Sequence, residues 1–105
     1  MKTQKLETIP QYEGWTNKPT WAVRLWLDND EETQRFTQHL IRHAYGDAYK
    51  LSKSLQEYSE TLMDKPLSTP DMACDLLIWA LAHVNWMELA ETYIEEYEAD
   101  QKEEA

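Results

Sequence analysis

The chain has 105 residues, with twenty acids against ten bases, a formal charge of −10 and five tryptophans. A single domain fits that length, with roughly two-thirds of the unfolded chain's surface buried on folding. The negative balance repels phosphate backbones and anionic lipid, so neither nucleic acid nor membrane is expected as a direct partner. Two glycines and four prolines are too few for a loop-rich β protein, while Leu, Ala, Glu, Lys and Gln are plentiful. The expected fold is therefore all-α: a compact bundle of about five helices in one domain, 1–105, with 1–13 and 99–105 frayed. A lone Cys74 allows no internal disulfide and fits a reducing compartment. No apolar run approaches the roughly 20 residues of a membrane span, and the N-terminus lacks the apolar stretch of a signal peptide. A cytoplasmic protein is expected.

Residues 1–13 show no sustained periodicity and are expected to be pinned near Ile9, Tyr12 and Trp15. The stretch Gly14–Asn29 holds Trp15, Trp21 and Trp26, and between Trp21 and Leu27 only Arg24 is polar. A helix apolar nearly all round is normally buried, so a helix over about 18–28, capped by Asn17 with Pro19 in its first turn, reads as the one the chain packs around. Asp30 then caps a second helix with Glu31 and Glu32 in its first turn and Phe36, Leu40, Ile41 and Ala44 on one face; it ends near Gly46. A third helix within Asp47–Asp64 repeats Ala48, Leu51, Leu55, Tyr58 and Leu62 as a narrow apolar stripe. After the loop 65–70, Thr69 caps and Pro70 opens a fourth helix, 70–83, whose broad apolar face of Ala73, Leu76, Leu77, Ala80, Leu81 and Val84 belongs in the core. Asn85 and Glu88 have the spacing of a capping box, with Val84 and Leu89 as its hydrophobic staple, and Leu89, Ala90, Tyr93, Ile94 and Tyr97 line a fifth helix. The expected core is Trp21, Leu25, Trp26, Leu76, Leu77, Ala80, Leu81, Leu89 and Tyr93, with Trp79 beside them and Trp15 and Trp86 half-exposed.

The chemistry-bearing residues are sparse. His39 and His43 stand one helical turn apart, but the pair lacks the adjacent glutamate of a zinc-protease motif and an obvious third ligand, so a solvated or partner-facing pair is expected and no metal or other cofactor. His83 reads as a helix-end cation. Cys74 has no adjacent base and reads as a small buried hydrophobe, and Asp71 and Asp75 as a solvated acid pair. Both glycines are isolated, which excludes a phosphate-binding loop. No enzyme is expected on this inventory. The acids cluster instead: Asp28, Asp30, Glu31 and Glu32 at one turn, and eight of them from Glu88 to Glu104 with Lys102 the single base. With Leu89, Tyr93, Ile94 and Tyr97 inward, Glu88, Glu91, Glu95 and Glu98 run along the outer side of the last helix. An aromatic patch of Trp15, Tyr45 and Tyr49 is the second candidate surface.

Gly14-Trp15-Thr16-Asn17, followed by Thr20-Trp21, Val23 and Leu25-Trp26-Leu27-Asp28-Asn29, resembles a family of small uncharacterised proteins of phages, plasmids and scattered bacterial genomes. That family opens on Gly-Trp-[Ser/Thr]-Asn-x-x-Thr-Trp-x-Val-x-Leu-Trp. Asp75-Leu76-Leu77, Ala80-Leu81 and Val84-Asn85-Trp86-x-Glu88-Leu89-Ala90-Glu91 are similar to its closing segment, while Lys18-Pro19 departs from its usual polar or acidic pair. The resemblance brings no catalytic residues and implies a mobile-element setting. Short acidic proteins there commonly bind host proteins, anti-restriction and anti-CRISPR proteins among them. The expected function is thus that of an acidic inhibitor occupying a basic surface of a host nucleic-acid-processing defence complex through Asp28, Asp30, Glu31, Glu32, Glu88, Glu91, Glu95 and Glu98. The alternative is a structural or regulatory oligomer of a phage or plasmid with no nucleic-acid mimicry; a homodimer is compatible with either.

Overall fold

The computed structural model describes residues 10–63 and 71–104. They form five helices: α1 Lys18–Asn29, α2 Glu31–Ala44, α3 Ala48–Thr61, α4 Met72–His83 and α5 Trp86–Glu104, with no strand among the described residues. The chain enters α1 through a tight turn in which Tyr12 and Trp15 exchange backbone hydrogen bonds of 3.0 and 2.8 Å. Its two central residues, Glu13 and Gly14, both have left-handed backbones, φ 49° and 84°, which glycine adopts without cost and glutamate does not. The Tyr12 ring meets Trp21 edge-on at 4.8 Å, so Tyr12 and Trp15 anchor the entry as expected; Ile9 lies outside the described residues.

Side-chain caps set most boundaries. Asn17 accepts the Thr20 N–H at 2.9 Å, and Pro19 sits in the first turn, where a missing N–H costs nothing. Asp30 ends α1 in an extended conformation and caps α2 through the Thr33 N–H at 3.2 Å, so a single residue separates the two helices. Tyr45 and Gly46, both left-handed at φ 52° and 81°, end α2, and Asp47 caps α3; the helix breaks at Gly46 as expected. On α4 the expectation needs correcting: Thr69 and Pro70 lie outside the described residues, and the cap is Asp71, which accepts the Cys74 N–H at 2.7 Å and starts the helix at Met72. An Asp one residue past the Pro competes for the same role, because its carboxylate takes an N–H three positions on as readily as a Thr hydroxyl does.

The centre of the molecule is the pair α3 and α5. Leu51 and Leu55 meet Leu89, Ala90, Tyr93 and Ile94, and Leu27, Ile41, Ala44 and Val84 close around them. Val84 and Leu89, the two staple residues, are both buried. The expectation that the chain packs around Gly14–Asn29 is overturned: α1 buries Thr20 and Leu27, leaves Trp21 and Leu25 half-buried, and exposes 69 % of Trp26. Helix α4 is likewise not a core helix. It buries Cys74, half-buries Leu77, Ala80 and Leu81, and exposes Leu76 and Trp79, which were expected inside. The reason is geometric: α4 rests on α1 with one side, and its Met72, Leu76 and Trp79 side stays exposed. On α2 Phe36 is exposed too, and the small Thr37 is buried in its stead.

Candidate functional site

The polar residues at the start of α1 and at the α4–α5 junction meet in one hydrogen-bonded corner. Asn17 Nδ2 donates to the His83 carbonyl at 2.7 Å, while Asn17 Oδ1 accepts from both the backbone N–H and the hydroxyl of Thr20, at 2.9 and 2.7 Å. The Thr20 hydroxyl in turn accepts the Asn85 N–H at 2.8 Å, and Asn85 Nδ2 donates to Thr16 Oγ1 at 3.2 Å. Glu88 N–H donates to Asn85 Oδ1 at 3.0 Å, as a capping box requires, but the Glu88 carboxylate reaches across to the Thr16 N–H at 3.1 Å. Each cap residue thus serves both its own helix and the other one. This corner holds α1 against the α4–α5 junction, and its cap residues are engaged within the fold.

A second polar cluster ties α1 to α5. Arg24 bonds Asp28 through Nε and Glu96 through Nη2, the latter at 2.9 Å, and its guanidinium lies 4.5 Å from the Tyr93 ring centre and 5.5 Å from that of Trp15. Burial opposes the Arg24 charge, yet the bond to Asp28 and the surrounding negative charge hold its pKa above the ordinary value. Tyr93 donates to Asp28 Oδ1 at 2.7 Å; burial first, and that bond second, raise the phenol pKa far above its usual range.

These contacts divide the acids expected to meet a partner. Asp28 is engaged by Arg24 and Tyr93, Asp30 by its helix cap and Glu88 by Thr16. Glu31 lies 3.5 Å from Arg35 with both side chains exposed, a pairing of small worth. Glu32 is exposed; together with burial, it and Asp30 raise the pKa of the Tyr58 phenol. Glu91, Glu95 and Glu98 are exposed along α5 and form no ion pair among the described residues. Asp28 is the turn acid that reaches α5, through Tyr93.

The other candidates fall out differently. The His39 and His43 rings lie 4.1 Å apart, tilted by 37°, on the exposed side of α2, and His43 Nδ1 donates to the His39 carbonyl at 2.9 Å. No group of three metal-ligating side chains occurs among the described residues. Tyr45 and Tyr49 are exposed beneath Lys50 and Lys53, whereas Trp15 lies against Arg24 and the core instead of joining them.

Sequence reasoning missed an apolar groove of about 540 Å³. Pro19, Ala22, Val23 and Trp26 of α1 form one wall, Leu77, Ala80 and Leu81 of α4 the other, and Ser59, Leu62 and Met63 close its end. The buried Ser59 hydroxyl has no hydrogen-bond partner among the described residues. The signal of the groove in the sequence is the run of apolar residues on every side of 72–83, a pattern that burial within the chain produces equally. No described helix is long and apolar enough to cross a membrane.

Residues 8–102 match the model of a family of unknown function, DUF7249, and the chain belongs to that family. No curated protein and no solved structure matches it.

Proposed function

We propose that the chain is a non-enzymatic binding protein of a phage or plasmid, acting in the host cytoplasm, whose acids on α5 engage a basic surface of a host nucleic-acid-processing complex of the anti-restriction or anti-CRISPR kind. The observation that carries the reading is the outer side of α5: Glu91, Glu95 and Glu98 stand exposed at three- and four-residue spacing with no described ion pair, while Glu96 alone on that helix is neutralised by Arg24. Such a row repels itself, and a cationic partner relieves it. Of the eight acids expected at the contact, these three and Glu31 and Glu32 are available; Asp28, Asp30 and Glu88 contribute field and hold structure.

The test is capture of partners from host lysate at low and high salt by the parent and by Glu91→Lys, Glu95→Lys, Glu98→Lys. The expected result is a partner lost from the variant, displaced by nucleic acid, and released steeply as salt rises. A variant that keeps its partner with parental salt response leaves the acids as a solubilising surface. The second reading, a structural or regulatory oligomer without nucleic-acid mimicry, is favoured by the exposed apolar side of α4.

A further inference from the structure

Helix α4 is apolar on two sides. Leu77 and Leu81 face the groove against α1, while Met72, Leu76 and Trp79 recur at i, i+4 and i+7 and so share the outer side, where they are 78, 62 and 52 % exposed. Trp26, on the far wall of the groove, is 69 % exposed. Asp75 is the one acid within α4, in a chain of net charge −10. A helix apolar all round normally has neighbours on all sides.

We propose that this face is the interface of a two-fold homodimer, in which the Met72, Leu76 and Trp79 ridge of each copy seats against the groove beside α4 of the other. Two features select a second copy as the occupant. The ridge and the groove stand side by side on one helix, and a two-fold axis beside α4 brings each onto the other, as a self-complementary contact requires. The area also suits: at roughly 200 Å² for a large apolar side chain, the exposed parts of Trp26, Met72, Leu76 and Trp79 amount to about 500 Å² per copy, against the ~800 Å² each partner gives a standard interface, and the groove walls add to it. The net charge of −10 opposes pairing through the acidic remainder of the surface. Copies that repel one another elsewhere meet through a nearly uncharged side, so their association tightens as salt screens the remainder.

Sedimentation equilibrium of the full chain over a range of concentrations, at low and high salt, tests this. The expected mass is twice the 12.5 kDa of one chain, with dimerisation strengthened by salt. Leu76→Glu with Trp79→Glu is expected to halve the mass while keeping the parental circular dichroism, since both side chains are already exposed. The milder Leu76→Ser, expected to weaken association at least tenfold, serves if the double variant loses its helices. Reversing Glu91, Glu95 and Glu98 to Lys is expected to leave the dimer in place, which separates this contact from the one on α5. A parent that stays monomeric at high concentration and high salt overturns the proposal and leaves the face to a different partner. So does a dimer that survives folded Leu76 and Trp79 variants, or one abolished by the α5 reversal.

Discussion

The Tyr93 phenol donates to Asp28 Oδ1 at 2.7 Å, joining the middle of α5 to the last turn of α1 across 65 positions of sequence. A hydrogen bond to a charged group contributes about 1.5–3 kcal/mol, so Tyr93→Phe is expected to destabilise by roughly that amount with the helices intact. The pH dependence has a definite sign. The folded phenol's pKa is raised, by burial and then by Asp28, above the value of about 10 in the unfolded chain. Above about pH 10 the unfolded chain therefore holds fewer protons than the folded one, and stability falls as pH rises. Urea unfolding from about pH 8 to 12 is expected to show that decline in the parent and a shallower one in Tyr93→Phe.

Burial ranks the apolar residues differently from their size. Leu89 and Leu55 are fully buried, and truncating either to Ala is expected to cost about 2–5 kcal/mol. Trp26→Ala removes a larger side chain that is mostly in water, and about 1 kcal/mol is expected. Thermal melting in dilute solution separates the two: a drop of about 10 °C or more for Leu89→Ala, and a few degrees for Trp26→Ala. Equal drops would mean that α1 is held far more tightly than its exposure indicates.

The corner made by the two cap residues predicts coupling. Asn17→Ala and Asn85→Ala each remove a helix cap, at about 1–2 kcal/mol. Because the Thr20 hydroxyl lies between the caps, donating to Asn17 Oδ1 and accepting the Asn85 backbone N–H that places the second cap, the losses are not independent, and a double-mutant cycle is expected to give an interaction of about 0.5–3 kcal/mol. Additive losses would show two separate caps.

Helix ends were legible because caps are local. Asn17, Asp30 and Asn85 each bond an N–H three positions on, and Gly46 follows a left-handed Tyr45, so short spacings foretold four boundaries. Which side of a helix is covered is not local. Trp26, Leu76 and Trp79 read as core because an apolar helix looks the same in sequence whether its cover comes from its own chain or from elsewhere. α3, with a modest stripe and many polar residues, turned out to be central. Glu88 shows the same limit: its spacing from Asn85 was recognised, but its bond to Thr16, 72 residues back, was not. The acids gave the least away, since nothing in the spacing of Asp28 or Asp30 distinguishes an engaged carboxylate from Glu91, which stands free in solvent among the described residues.

The corner also bears on the order in which the chain assembles. Its bonds join Thr16 to Glu88 and Asn17 to His83, 72 and 66 positions apart, whereas α2 and α3 meet across a three-residue turn. Closing so long a loop for a few hydrogen bonds is unfavourable until apolar contacts have already drawn the ends together. The corner is therefore expected to lock after α3 and α5 have collapsed onto each other, on the native side of the folding barrier. Interactions made that late govern how fast a protein comes apart more than how fast it forms. The same few polar groups that hold α1 to the α4–α5 junction are thus expected to lengthen the lifetime of the folded chain.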